Sequence, residues 1–208
     1  MLKRGYRRIQ AFLLPLTGGV KTANIYEIVS GLKRADLILH DWDRDYGAGS
    51  MWDLISACLI ARHRQPKLVF EIGTGHGRTT HHVALNAPDT RIFTLDISTA
   101  EHTGSIFRGQ STSQQITQLV GNSTNYDWTP YLSKTDLVIV DGDHAYDGVK
   151  NDTEVAFKLV APGGVILWDD FAPGWPGVIK ALKQHPKAKS FRKIAGSKWV
   201  YYFNDEKT

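Results

Sequence analysis

The chain has 208 residues, of which 42% are hydrophobic and 22% are charged, as is typical of one folded domain with a sizeable core. A single cysteine, Cys58, excludes an intrachain disulfide, and no apolar run is long enough for a secretory signal or a membrane span, so we expect a cytoplasmic protein. The formal net charge of +4 is dispersed apart from a basic segment at residues 1–10, which argues against nucleic-acid binding.

Short apolar segments alternate with helical periodicity along the chain, which predicts an α/β sheet of largely parallel strands. Amphipathic helices are predicted at residues 22–32 and 50–62. Five strands are predicted next, at residues 67–72, 91–95, 116–120, 136–140 and 165–168, with helices at 147–160 and 177–184. Two last strands, 191–195 and 198–203, flank a Gly196-Ser197 turn and should form an antiparallel hairpin at the sheet edge.

A glycine-rich loop follows the first of the five strands and opens a helix. In an open α/β sheet, this position at the carboxyl end of a strand is where nucleotide-like ligands bind. Gly73, Gly75 and Gly77 allow sharp turns and a close approach to a ligand, and the free amides at the helix start favour a carboxylate. A dinucleotide-binding loop needs its third glycine at position 78, where this chain has Arg78, so the loop argues against NAD.

Polar residues at the ends of neighbouring strands extend this candidate ligand site. Asp96 ends the second strand, where its carboxylate can accept hydrogen bonds from both ribose hydroxyls of an adenosyl ligand. The alternative is a helix cap, because Ser98 and Thr99 follow. Ser123 lies where it can contact an adenine edge, and Glu71 is expected to orient the loop or the amino group of the ligand. For the whole loop, the alternative is an ordinary tight turn without a ligand.

A second cluster of acids is predicted at the same edge of the sheet. Asp141 ends the fourth strand and Asp169 and Asp170 end the fifth, and neighbouring strands lie only about 4.8 Å apart. Carboxylates this close repel one another unless they are protonated or bridged by a cation, and oxygen ligands suit Mg²⁺, Ca²⁺ or Mn²⁺. His144 faces the same mouth and can accept a proton at neutral pH. The alternative is that these residues cap helices and bind loop backbone.

The motifs together resemble those of class I methyltransferases, which use S-adenosylmethionine (SAM). Val69–Gly77 is similar to their motif I, and Phe93–Asp96 is similar to their second-strand acid. Residues 136–144, ending in Asp-Gly-Asp-His, and residues 159–170, with Pro-Gly-Gly and a final Asp-Asp, resemble strands four and five of the metal-dependent O-methyltransferase branch. That branch includes catechol O-methyltransferase-like enzymes and macrolide-sugar O-methyltransferases.

This resemblance covers roughly residues 50–203 and implies a doubly wound, Rossmann-like sheet of seven mostly parallel strands. The implied strand order is 3-2-1-4-5-7-6, with the seventh strand antiparallel. We predict SAM contacts at Glu71, Gly73, Thr74, Gly75, Gly77, Asp96, Ser123 and Asp141. The family positions imply a divalent metal, magnesium or else calcium or manganese, at Asp141, Asp169 and Asp170. His144 is the predicted proton acceptor; catechol-type relatives have a lysine there and sugar-methylating relatives a histidine, which argues against a catechol acceptor.

We therefore predict an enzyme that transfers a methyl group from SAM to a hydroxyl of a small molecule, assisted by a divalent metal. The methyltransferase domain should span residues 50–208, and residues 1–49 should form a helical or loop extension that covers the acceptor site; the resemblance also allows a homodimer. Trp175 is either part of an apolar wall over the acceptor or part of a rigid turn. Two alternatives stay open: a nucleotide-cofactor oxidoreductase, or a SAM-binding RNA-modifying protein that uses the basic N-terminus.

Overall fold

The computed structural model describes residues 20–29, 36–40 and 50–205, and these form one layered α/β unit. The strands are β1 (Lys21–Ala23), β2 (Leu68–Ile72), β3 (Arg91–Asp96), β4 (Ile116–Val120), β5 (Thr135–Val140), β6 (Val160–Trp168), β7 (Arg192–Ile194) and β8 (Val200–Phe203). The helices are α1 (Ile25–Ile28), α2 (Met51–Arg64), α3 (Arg78–Asn86), α4 (Tyr146–Leu159) and α5 (Pro176–Gln184). All eight strands belong to one sheet, in the order β1-β7-β8-β6-β5-β2-β3-β4.

The order of the sheet confirms the predicted topology. Counted from β2, the strands stand in the order 3-2-1-4-5-7-6, and β8 runs antiparallel to both β6 and β7. The number of strands needs a correction from seven to eight, because β1 pairs in parallel with β7 at the sheet edge. A three-residue strand carries too little alternation to be recognised from sequence, and its partner lies some 170 residues further along the chain.

The segment predicted as one helix over residues 22–32 is also different in the structure. Its described part is extended through Ala23 and becomes helical only at Ile25. Asn24 begins the helix with a capping box, in which its side chain accepts from the Tyr26 amide and the Glu27 carboxylate accepts from the Asn24 amide. Residues 30–35 lie outside the described part of the chain.

The core has two layers because the central strands are buried on both faces. Successive residues of β2, β5 and β6 alternate between the layers, so that Phe70 and Val138 pack on one side and Val69 and Ile139 on the other. Helices α4 and α5 cover the first face, and α2 and α3 cover the second. This double burial explains why the strands read as continuous apolar runs in the sequence.

Two contacts fix the turn between β7 and β8 to the start of α2. Ser50 and Asp53 form a capping box at the first turn of α2. The other oxygen of the Asp53 carboxylate accepts the amide of Lys198 at 2.7 Å, and the Trp199 indole donates to the Asp53 carbonyl at 2.9 Å. Asp53 is buried, so these bonds hold Lys198 firmly at the carboxyl edge of the sheet.

Only residues 20–29 and 36–40 of the predicted N-terminal extension are described. The first of these segments lengthens the sheet through β1, and the second contacts α3 through paired hydrogen bonds between the Ile38 backbone and the Asn86 side chain. Coverage of an acceptor site by residues 1–49 therefore stays a prediction. Within the described ranges, no helix combines the length and apolar character that a membrane crossing requires.

Candidate functional site

A cavity of about 820 Å³ opens at the carboxyl ends of the central strands, the position where open α/β sheets bind ligands. Its volume lies within the range of about 300–1,000 Å³ that is usual for small-molecule and cofactor sites. The structure brings almost all predicted site residues to the cavity wall: Glu71, Gly73, Thr74, Gly75, Asp96, Ser123, Asp141, His144, Asp169 and Asp170. Gly77 is the exception.

The glycine-rich loop is shaped by close approach of backbone to backbone. Gly73 has φ +98°, and a Cβ at this residue would lie 2.0 Å from the carbonyl oxygen of Asp141. The amide of Asp141 donates to the carbonyl of Ile72 at 2.8 Å, which joins the ends of β5 and β2 at this point. Only glycine fits here, because any side chain would push the two strand ends apart.

Gly77 has a different task from the other two glycines. It has φ +84° and precedes the first residue of α3, and a Cβ there would lie 2.5 Å from the ring of Phe107. The residue thus packs against a neighbouring loop rather than lining the cavity, and its predicted contact with a cofactor stays a prediction. Gly75, in contrast, has φ +48° with open space around it and lines the cavity.

Asp96 fastens the glycine-rich loop to the end of β3. Its Oδ2 accepts the amides of Thr74 at 2.9 Å and Gly75 at 3.0 Å, and its Oδ1 accepts the amide of Ser98 at 2.8 Å. An ionised carboxylate offers about four lone-pair positions, so in this arrangement about one is left for the hydroxyl of a ligand. Asp96 is therefore both a loop anchor and a candidate ligand contact.

Glu71 lies beneath the loop and is almost fully buried, with 2% of its surface exposed. Hydroxyl groups of Thr80 on α3 and Thr94 on β3 donate to its carboxylate, and the Thr74 hydroxyl contacts that of Thr94 at 2.7 Å. Burial raises the pKa of Glu71 to about 7, against the opposing effect of these hydrogen bonds. The contacts favour the first of its two predicted roles, orientation of the loop.

Two further residues line the cavity near the glycine-rich loop: Ser123, which was predicted, and Ile97, which was not. Burial raises the pKa of Asp152, and the hydroxyl of Ser123 opposes that shift by donating to it. Ile97 directly follows Asp96, lines the cavity and is 70% exposed. Ile97 thus adds an apolar surface to the cavity wall, and exposure of this kind is visible only in the folded chain.

The acid cluster forms the opposite side of the cavity. Asp141, His144 and Asp170 each offer one ligand atom, and these atoms all lie within 4.8 Å of one another. Nε2 of His144 lies 2.8 Å from Oδ2 of Asp170, and the ammonium of Lys198 lies 2.5 Å from Oδ1 of the same carboxylate. Sequence reasoning missed Lys198, which is distant in the chain and carries no motif.

Asp169 stands apart from this group, although the prediction placed it with Asp141 and Asp170 as a metal ligand. Its Oδ1 accepts the backbone amide of Asp170 at 2.7 Å. Consecutive residues on an extended strand point in opposite directions, and Asp170 turns into a left-handed conformation with φ +58°, which is uncommon for a residue other than glycine. In this arrangement His144 stands beside Asp141 and Asp170 where Asp169 was expected.

The carboxyl groups of the cluster differ in how easily they ionise. Burial raises the pKa of Asp141 well above its ordinary range, and repulsion from Asp169 and Glu71 adds to the rise. Burial also raises the pKa of Asp169 to about 7. At Asp170 burial acts in the same direction, but hydrogen bonds from His144 and Lys198 outweigh it and lower the pKa. Burial thus disfavours the charged forms of Asp141 and Asp169, and a cation close to them would favour those forms.

Trp175 packs on the other face of His144. The two ring centroids lie 4.1 Å apart with an interplanar angle of 26°, and the indole lines the cavity with 41% of its surface exposed. Trp175 also directly precedes α5, whose first residue is Pro176. Both predicted alternatives are thus present, since the residue lies in the turn into a helix and forms an apolar wall beside the cluster.

The parallel sheet order, the antiparallel end pair and the cavity at the strand tips define the class I methyltransferase fold. Residues 70–171 match a family model described as a methyltransferase domain. This match confirms the enzyme class predicted from the sequence, a methyltransferase. No curated protein matches the sequence significantly.

Solved structures with this fold include enzymes of natural-product synthesis. The TDP-rhamnose 3'-O-methyltransferase CalS11 of calicheamicin biosynthesis is 20% identical, with a TM-score of 0.59 over 74% of this chain and 79% of its own. The O-methyltransferase TomG from Streptomyces achromogenes, solved with SAM, is 22% identical, with a TM-score of 0.57 over 93% and 94% of the two chains. MycE from the mycinamycin pathway, solved with Mg, S-adenosylhomocysteine and mycinamycin VI, is 19% identical, with a TM-score of 0.55 over 90% and 57%.

Proposed function

We propose that the protein transfers the methyl group of SAM to a hydroxyl of a small molecule with the help of a divalent metal ion. The observation that carries this proposal is the group formed by Asp141, His144 and Asp170, whose ligand atoms lie within 4.8 Å of one another. This group shares one cavity with the glycine-rich loop. A cofactor at the loop and an acceptor at the acids would therefore meet inside the same enclosure.

The cofactor would lie along the loop side of the cavity. Its carboxylate would face the backbone at Gly73 and Gly75, where the chain approaches without side chains. The remaining lone pair of Asp96 would accept a ribose hydroxyl, and the exposed side chain of Ile97 would cover a face of the adenine. Ser123 would stand at the adenine edge.

The charge of the cavity wall favours a small acceptor over a nucleic acid. Eight acidic residues line it: Asp53, Glu71, Asp96, Asp141, Asp143, Asp152, Asp169 and Asp170. Among the described lining residues, the lysines and arginines are Arg78 and Lys198. Nucleic-acid sites need a surplus of basic residues to neutralise phosphates, so this wall argues against the alternative of an RNA-modifying protein.

The donor set fits a hard divalent cation. Asp141 and Asp170 would hold it, together with Asp169 through the carboxylate oxygen that does not accept the amide of Asp170. These oxygen ligands suit Mg²⁺ or Mn²⁺. When bound, the metal would lower the pKa of the acceptor hydroxyl and fix its direction. The MycE structure, which contains Mg together with S-adenosylhomocysteine, supports a metal in a protein of this fold.

His144 would accept the proton of the hydroxyl. Its Nε2 faces Oδ2 of Asp170 at 2.8 Å, which leaves the lone pair of Nδ1 for the incoming proton. The Asp170 carboxylate would then stabilise the imidazolium, and Trp175 would hold the ring in place by stacking. A histidine bound to the metal could not take this role, so we assign the metal to the carboxylates and the proton to His144.

Calorimetric titration with S-adenosylhomocysteine, with and without Mg²⁺ and with NAD as the control, tests the cofactor. We expect binding near the micromolar range, about −8 kcal/mol, and none of NAD. Binding of NAD alone would overturn the methyltransferase proposal. Transfer of labelled methyl groups from SAM to a panel of hydroxylated acceptors then tests the reaction. An undiminished rate of transfer in EDTA would overturn the proposed role of the metal.

The predicted cytoplasmic location and homodimer rest on composition and on the resemblance alone, and they stay predictions. Size-exclusion chromatography with light scattering measures the assembly directly.

A further inference from the structure

Lys198 is a cation that the fold itself holds inside the cavity. Its backbone amide donates to Asp53 at 2.7 Å, and its carbonyl accepts the amide of Phe171 at 3.0 Å. Both partners are buried, so the chain can move little at this residue. The side chain, 31% exposed, extends from this fixed point to the cavity wall.

The ammonium of Lys198 occupies one side of the Asp170 carboxylate. It lies 2.5 Å from Oδ1 of Asp170, while His144 lies 2.8 Å from Oδ2. Both oxygens of Asp170 are thus engaged by groups of the chain. The side chain of Asp170 is only 11% exposed, which strengthens an ion pair relative to one in open water.

A divalent cation at Asp170 would have to share this carboxylate with the ammonium. Two positive charges within a few ångströms repel each other, and the low exposure of the site reduces the screening that solvent would provide. We propose that Lys198 is the built-in counter-ion of the acid cluster and that a divalent metal binds only when it displaces the ammonium from Asp170. This inference rests on the metal site of the proposed function.

The consequence is a metal site whose affinity the chain itself weakens. With Lys198 in place, the chain itself compensates part of the negative charge of Asp141, Asp169 and Asp170. Without the ammonium of Lys198, only a bound metal would compensate the charge of these carboxylates. We expect removal of this one charge to tighten metal binding at least about tenfold, which is about 1.4 kcal/mol.

Direct binding of Mn²⁺ to the full chain, followed by electron paramagnetic resonance, tests this inference without an activity assay. Lys198→Met should bind Mn²⁺ at least about tenfold more tightly than the unmodified protein, whereas Lys198→Arg, which keeps the charge, should bind as the unmodified protein does. Lys67→Met is the matched control, because Lys67 precedes the opposite end of β2 and is 74% exposed. Equal or weaker binding by Lys198→Met would overturn the proposal.

Thermal unfolding keeps the test decisive if the variant is unstable. Lys198→Met should lose stability without metal and regain it with Mn²⁺, and a larger gain than in the unmodified protein supports the competition. A variant that stays unfolded at saturating Mn²⁺ overturns it. If Asp141→Asn abolishes Mn²⁺ binding but Lys198→Met leaves it unchanged, the metal site stands and the competition is wrong. If no protein binds Mn²⁺ while S-adenosylhomocysteine still binds, both the metal site and the competition fall, and methyl transfer does not.

Discussion

The two sides of the cavity differ in how far the chain itself satisfies their carboxyl groups. On the loop side, Asp96 accepts three backbone amides and Glu71 accepts two hydroxyls, so these groups are satisfied by the chain. On the acid side, burial raises the pKa of Asp141 and Asp169, and Lys198 pairs with Asp170 rather than with either of them. The chain satisfies the carboxylates of the loop side by itself, whereas under the proposed function a cation would complete the acid side.

This difference indicates that the loop side of the site is the rigid part and that the acid side carries the chemistry. The loop side positions a ligand through backbone geometry, which tolerates no change at Gly73. The acid side stores unfavourable electrostatic energy that a bound cation would release. Substitutions on the loop side should therefore act on folding and cofactor affinity, whereas those on the acid side should act on metal affinity and rate.

The sharpest test of the loop side is Gly73→Ala compared with Gly75→Ala. A Cβ at Gly73 would lie 2.0 Å from the Asp141 carbonyl, whereas one at Gly75 meets nothing within 4 Å. We expect Gly73→Ala to lower the free energy of unfolding by about 3–5 kcal/mol and to abolish S-adenosylhomocysteine binding, and Gly75→Ala to cost only about 1–2 kcal/mol for its positive φ. Urea unfolding and calorimetry measure both. Equal losses would show that close approach is not what requires Gly73.

The acid side is tested next by His144→Ala. A general base contributes about 10²–10⁴-fold to a rate, so methyl transfer should fall by that factor while S-adenosylhomocysteine affinity stays unchanged. His102→Ala is the control, since this exposed histidine lies outside the cavity wall. Initial rates are measured from pH 6 to 9. A full rate in His144→Ala across that range would remove histidine from the mechanism.

A smaller effect is expected in the pH dependence of stability. The pKa of Glu71 rises from 4.5 to about 7 on folding, so the folded state binds the proton more tightly than the unfolded one. Its contribution is fully present below pH 4.5 and is lost as the pH rises toward 7, on the order of 3 kcal/mol in total. Glu71→Gln, which is neutral throughout, should flatten this part of the curve.

Urea unfolding between pH 4.5 and 8 measures that slope for Glu71→Gln and for Glu101→Gln, an exposed control. The control should keep the slope of the unmodified protein. A slope that Glu71→Gln leaves unchanged would mean that Glu71 is ionised in the folded state at neutral pH, and that the loop side also carries an uncompensated charge.

The smallest effects are expected on S-adenosylhomocysteine affinity, from substitutions at Asp96 and Ser123. Asp96→Asn removes charge-assisted hydrogen bonds to the loop amides and should weaken S-adenosylhomocysteine binding about tenfold or more. Ser123→Ala should weaken it less than about threefold, because the hydroxyl is already engaged with Asp152. Calorimetry on both variants measures the ratio. A larger loss for Ser123→Ala would move the main polar contact of the cofactor from Asp96 to the adenine end.

The predictions that held depend on local patterns. Apolar runs bounded by turn residues predicted five strands and the terminal hairpin, because burial on both faces leaves a continuous apolar signature. Their boundaries agree with the structure within two residues, except that β6 begins at Val160 rather than at residue 165. The enzyme class followed from motifs at the strand ends, where short segments carry the chemistry. Cofactor and metal contacts stay predictions, since they depend on ligands.

The structural features that could not be predicted from the sequence depend on contacts between residues that are far apart in the chain. Lys198 meets Asp170 over 28 positions, and β1 meets β7 over some 170. Ile97 is distinguished from core aliphatic residues only by its exposure. No periodicity or spacing records such pairings, because each depends on how separate elements pack.

By itself, the sequence determined the class of sheet, the position of the ligand cavity and the residue types around it, since strand burial and strand-end motifs are local properties of the chain. The tertiary structure decided which of those residues face one another. Asp170 adopts a left-handed conformation in which its carboxylate contacts His144 and Lys198, while the Asp169 carboxylate accepts the amide of Asp170. The position of Lys198 depends on the hydrogen bond between its amide and Asp53. A contact of this kind exists only after the chain has folded.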